Sequence, residues 1–148
     1  MWSRHRTLNT ILRLYLNRSG STAVEFALLA PLYIFLLMGM TAYGIYFGAS
    51  HSVQQLAADA ARTAIAGITT DEREELAGGF VARNAAGYPF IDPSRLLVRV
   101  NASPTDTNQF DVVIRFDASR LPIWGLFEGL PIPDKIIEKR STIRIGGI

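Results

Sequence analysis

Residues 20–47 read GSTAVEFALLAPLYIFLLMGMTAYGIYF, and this stretch decides the fold. From Phe26 to Phe47 there are 22 residues without a formal charge, and after Glu25 the next charged side chain is Asp59. At about 1.5 Å rise per residue the run is roughly 33 Å long as a helix, against a hydrocarbon core of about 30 Å, so it predicts one crossing of a bilayer. A secretory signal peptide is the competing reading, because Gly48-Ala49-Ser50 ends in small residues. Its apolar region, however, is only about 7 to 15 residues long. Tyr33, Tyr43, Tyr46 and Phe47 weight the far end with rings suited to a membrane interface.

The rest of the composition fits an anchored chain. Of 148 residues 49% are hydrophobic and only 19% charged, and cysteine is absent, which excludes disulfides and thiolate metal sites without fixing a compartment. The basic pI misleads. Residues 1–20 hold Arg4, Arg6, Arg13 and Arg18 and no acid, leaving eleven basic against thirteen acidic side chains behind them. A nucleic-acid surface needs clustered cations on the folded part, so none is expected. The four arginines instead orient the span, with the N-terminus cytoplasmic and residues beyond about 50 outside. In the leader, Leu8, Ile11, Leu12, Tyr15 and Leu16 recur at helical spacing; this is either a basic helix lying on anionic lipid or an ordinary positively charged leader.

Glu25 is the sharpest feature. A carboxylate in hydrocarbon costs about 2–3 kcal/mol or more unless it protonates, reaches the interface or meets a cation. Arg18 is seven residues away, about 10 Å along a helix, too far for a direct pair. A cut between Gly20 and Ser21 would create an α-amino group at this depth, with Glu25 as fifth residue of the product, and one molecule's amine would then neutralise its neighbour's acid. Gly20 as a simple helix breaker and Glu25 as a helix N-terminal acid are the alternatives. Pro31 removes a bond to the Ala27 carbonyl and is expected to bend the helix. Ala23, Ala27 and Ala30 form a small-residue face, and Gly44 with Gly48 makes a GxxxG spacing, both suited to close helix packing.

The string Arg18-Ser-Gly-Ser-Thr-Ala-Val-Glu25-Phe-Ala-Leu-Leu-Ala-Pro31 resembles the processing site of type IVb prepilins: a glycine, four residues, then Glu and an aromatic. Phe26 stands where Flp-type sites often have tyrosine. The longer stretch, continued by Ala-Ala-Asp-Ala-Ala-Arg62, resembles the TadE/TadG minor pilins, or pseudopilins, of tight-adherence (Flp) pilus systems over about residues 18–66. The resemblance implies a processing site of Gly20, Ser21, Glu25 and Phe26, cut after Gly20 by a membrane-embedded prepilin peptidase. It implies as partners the membrane, that peptidase, other pilins or pseudopilins and the pilus assembly platform. It places the chain in a bacterial inner membrane, single-pass with a periplasmic C-terminal domain, and in surface pili after assembly. The alternative function is a permanently anchored adaptor of the assembly machine that recruits a periplasmic partner uncut.

Beyond the span the helix is expected to run to about Ala66, some 69 Å from Ser21, with Ser52, Gln55, Asp59 and Arg62 on a polar stripe and Val53, Leu56, Ala57, Ala60 and Ala64 on an apolar one. Gly67 can end it. Thr69 with Glu72 fits a capping box for a second helix, whose acids Asp71, Glu72, Glu74 and Glu75 compensate its dipole. Alternation then predicts strands around Leu96–Val100 and Phe110–Phe116, joined as a hairpin through Ser103–Asn108, and a third from about Ile136 to Ile145. The loop Leu121–Pro133 carries Ile123, Trp124, Leu126 and Phe127, which either cap a sheet edge or dock another pilus component. The expected fold is α+β and pilin-like: a leader (1–20), a transmembrane and extended helix kinked at Pro31 (21–66), and a small domain with a short helix and a three-stranded antiparallel sheet (67–148).

No nucleophile elbow, phosphate loop or dinucleotide fingerprint is present. His5 and His51 fall on opposite sides of the expected bilayer, and Asp106 with Asn108 only faintly resembles a calcium loop. No enzyme activity, cofactor, metal or small-molecule substrate is expected.

Overall fold

The computed structural model describes residues 18–104, 106, 108–126, 131 and 133–145. Helix α1 spans Arg18–Ala64 and contains Pro31 without interruption; α2 spans Thr70–Asn84; strands β1 (Leu96–Ala102), β2 (Gln109–Asp117) and β3 (Ile136–Arg144) follow, with short 3-10 turns between them. The chain divides into two compact units, residues 1–40 and 41–148. In the first, the described part is apolar helix with exposed side chains, Phe26 at 70% and Leu28 at 74%. It belongs to one helix long and apolar enough to cross a membrane.

The second unit is built on the latter part of α1. Ala49, Val53, Leu56, Ala57, Ala60, Ala61 and Ala64 are all fully buried and join one core with Val100, Phe110, Val112, Ile114, Phe116 and Ile137. Small side chains on the helix let the sheet approach closely, and β-branched and aromatic residues on the strands fill the gap. The sheet is antiparallel in the order β1-β2-β3, with Val100 opposite Val112 and Val112 opposite Ser141. The alternation expected of the strands is therefore realised, and β3 ends at Arg144, one residue short of expectation. The polar stripe of α1 is realised less fully: Ser52 is buried at 4% exposure, whereas Gln55 and Arg62 face solvent. Asp59 pairs with Arg62 at 2.6 Å and accepts the Tyr88 hydroxyl at 2.7 Å. Burial and this bond raise the Tyr88 pKa to about 12.

Helix α1 stops at Ala64, two residues earlier than expected, and Gly67 donates its N–H back to the Ala64 carbonyl at 3.1 Å. A Cβ on Gly67 would lie 2.8 Å from the Arg73 backbone nitrogen, so the close approach needs glycine. The expected capping box is present: the Thr69 hydroxyl accepts from Glu72 N–H at 3.2 Å, and the Glu72 carboxylate accepts from Thr69 N–H at 3.2 Å and Ile68 N–H at 2.8 Å. Thr69→Ala is expected to lower stability by about 1 kcal/mol, measured by chemical denaturation, because it orphans a helix N–H.

Both outer strands have a polar group against their free edge. Glu74 accepts the Val100 N–H of β1 at 3.3 Å, and the Gln54 amide donates to the Arg140 carbonyl of β3 at 3.3 Å. Glu74, which reads from sequence as dipole compensation alone, thus also covers a strand edge.

At the hairpin end nearest β1's start, two similar turns repeat: Asp92-Pro-Ser-Arg95 and Asp117-Ala-Ser-Arg120. Each Asp caps its turn through the following Ser N–H, and Arg95 bridges to Asp117 at 2.9 Å. The Ser94 hydroxyl and N–H hold the Asp92 pKa below its ordinary value, and the Ser119 N–H and hydroxyl do so for Asp117. The Ile68 and Thr69 N–H groups depress that of Glu72. A depressed carboxyl stabilises the fold above its unfolded pKa, and that contribution is lost as pH falls through the folded value. Thermal stability is therefore expected to decline as pH is lowered from the ordinary carboxyl range near 4 down through the depressed folded values below it. An unchanged melting temperature across that window would contradict the assignment of these caps.

Candidate functional site

The residues predicted to form a processing and assembly site occupy the start of α1. Gly20 is the third residue of the described helix Arg18–Ala64. Glu25 is not in the first turn, since that turn holds no acid. Gly20 is exposed, with no atom within 4 Å of a Cβ built on it. A glycine in a helix costs about 0.8–1.0 kcal/mol relative to alanine, so Gly20 lowers the local helix propensity. Ser21 and Glu25 meet one turn apart, the Ser21 hydroxyl donating to the Glu25 carboxylate at 3.2 Å on an exposed face.

At about 100° per residue, the small-residue stripe of Ala23, Ala27 and Ala30 points roughly opposite to Ser21 and Glu25. Ala23, Ala27 and Pro31 are exposed and Ala30 is half-buried.

The two glycines of the GxxxG spacing differ in their surroundings. Gly44 is exposed with open space beside it, but Gly48 is covered from within the chain: a Cβ there would lie 2.8 Å from the Phe90 ring. Phe90 adopts φ 64°, the left-handed region that side chains rarely enter. Phe90 directly follows Pro89, and no pattern in the sequence singled it out.

Residues 20–62 match a protein-family model described as TadE-like protein. This segment is TadE-like. No curated protein and no solved structure matches the chain. The TadE-like segment begins at Gly20 and ends at Arg62, taking in Ser21, Glu25, Phe26, the small-residue face and most of the apolar stripe of α1. The match points to a role in Tad pilus systems, and the apolar helix within it suits single-pass membrane anchoring.

The other candidates are placed as follows. In the loop after β2, Ile123 is buried at 1% exposure against Ala42 of α1, and Trp124 donates its indole N–H to the Ala118 carbonyl at 2.7 Å. Its apolar residues thus pack on the helix as well as beside the sheet; Phe127 and the Leu126 side chain lie outside the described residues. His51 is exposed, and His5 and the leader lie outside the described residues. Asp106 accepts the Asn108 N–H at 2.9 Å and faces Arg144 at 3.5 Å, which makes it a turn acid. Among the described residues no cluster of three metal-binding side chains occurs.

Proposed function

We propose that this chain is a minor pilin or pseudopilin of a tight-adherence (Flp, type IVb) pilus, a structural subunit rather than an enzyme. It waits in the bacterial inner membrane with its N-terminus cytoplasmic and residues 41–148 periplasmic, is trimmed after Gly20 by a prepilin peptidase, and then assembles or primes the fibre. The observation that carries this reading is that the TadE-like match starts at Gly20 itself, on a stretch where the glycine is exposed and Ser21 and Glu25 share a face. Trimming there places a cationic α-amino group one turn from a carboxylate that hydrocarbon would otherwise penalise. The acid of one subunit and the amine of the next then neutralise each other as the helices pack.

Mass spectrometry of the chain from sheared surface filaments tests this. Ser21 is expected as the N-terminus. Chains that retain Met1 and stay out of filaments would support the uncut adaptor instead. Gly20→Ala is expected to abolish trimming. Because the space around Gly20 is open, and alanine favours helix, the variant keeps its fold, so loss of cleavage reports on recognition of the site.

A further inference from the structure

The uncharged run extends to Phe47, yet Ala42 is fully buried under Ile123, and the second compact unit begins at Thr41. The bare apolar helix between Glu25 and that unit is therefore residues 26 through 40, fifteen residues. That is about 22 Å of helix, some 8 Å short of a hydrocarbon core of about 30 Å. Either Glu25 is drawn into the hydrocarbon, at about 2–3 kcal/mol while unpaired, or the surface around residues 41–48 enters the membrane boundary.

That surface suits the second outcome. Phe47 is 57% exposed and Phe90 49%, Pro122 and Pro131 are exposed, and Trp124 is half-buried. Three attachments hold it to α1: Ile123 on Ala42, the Pro131 carbonyl accepting the Tyr43 hydroxyl, and Phe90 on Gly48. They span the seven residues Ala42–Gly48, about 9 Å of helix, close to the depth of about 5–10 Å that interfacial segments occupy. Phe90 keeps its half-exposed ring there in a backbone conformation that costs about 1–3 kcal/mol, a sign that the exposed ring has a use. The Lys135 ammonium lies 5.6 Å from the Trp124 ring centroid, and Asp134 beside it offsets the charge. The contact is thus apolar and aromatic, not electrostatic.

We propose that the surface of Phe47, Phe90, Pro122 and Trp124 is a membrane-contacting seat that lies in the boundary between headgroups and acyl chains of the bilayer crossed by α1. The proposal rests on α1 crossing a bilayer, and not on trimming or fibre assembly. Because the chain has no cysteine, Phe90→Cys and Pro122→Cys each accept one spin label, in the full chain reconstituted into phosphatidylcholine nanodiscs. Oxygen collisions are expected to exceed those of a water-soluble nickel chelate at 90 and 122, and the order to reverse at Ile68→Cys, a site that is 84% exposed in the wild type. Phe47→Cys repeats the reading without touching the Phe90 backbone. Labels at 47, 90 and 122 that behave like the one at 68 overturn the proposal. So does dipolar broadening that disappears on dilution with unlabelled chain, which would make a second copy the occupant. A nickel-accessible label at Leu36→Cys overturns the membrane crossing along with it.

Discussion

Glu25→Ala is expected to leave trimming after Gly20 intact while reducing incorporation into filaments by about two to three and a half orders of magnitude, since stripping one partner from a buried charge pair costs about 3–5 kcal/mol. The variant's own helix loses only an exposed contact, the 3.2 Å bond from Ser21, so the monomer in the membrane is little affected. The damage arises on packing, when the neighbour's new α-amino group enters a low-dielectric environment with no carboxylate to meet it. Glu25→Gln separates charge from shape. It retains an acceptor for Ser21 but no charge, and is expected to assemble nearly as poorly as Glu25→Ala. Quantitative immunoblotting of sheared filaments against the membrane fraction reads both effects. Full assembly by Glu25→Ala would remove the pairing mechanism, and failure of the variant to be trimmed would place Glu25 in peptidase recognition instead.

Phe110→Ala is expected to lower the stability of the second unit by about 3–5 kcal/mol, a large share of the roughly 5–15 kcal/mol that holds a domain together. Phe110 is fully buried on the central strand, opposite Ala102 and Ile143. It shares the core with Leu56 and Val53 of α1, and the Arg73 guanidinium lies 4.8 Å from its ring centroid. Truncation opens a cavity between helix and sheet and removes a cation–π contact worth about 0.5–1 kcal/mol or more. Trp124 reports the transition, because its indole is bonded to Ala118 beside that core; a Trp2→Phe background leaves it as the sole tryptophan. Denaturant titration in detergent should show a lowered midpoint for Phe110→Ala. Leu97→Ala, on the solvent face of β1 at 60% exposure, should stay within about 0.5 kcal/mol of wild type. Equal shifts for the two variants would mean that the helix–sheet core is not the stabilising element.

Much of this was legible in local patterns. The period-two alternation of Phe110, Val112, Ile114 and Phe116 marks an inner sheet face wherever a partner surface comes from. Thr69 and Glu72 specify a helix start through bonds spanning three residues. The candidate site was equally local: Gly20, Ser21, Glu25 and Phe26 are neighbours in the chain, and a helix alone sets their faces. What could not be read were contacts between segments distant in sequence. Gly48 looks like half of an interhelical motif until Phe90, 42 positions later, is found on top of it. Ser52 reads as polar stripe and is buried, because the unit that folds over α1 covers more than its apolar stripe.

The sequence by itself determined an apolar helix, an acid near its start, the caps and the strand alternation, because each depends on residues a few positions apart and on backbone geometry common to all chains. Only the tertiary structure decided where the bare helix ends. Ile123 burying Ala42, and the Pro131 carbonyl taking the Tyr43 hydroxyl, bring together groups some eighty residues apart, and no local pattern encodes which long-range contact excludes solvent or lipid from a given turn.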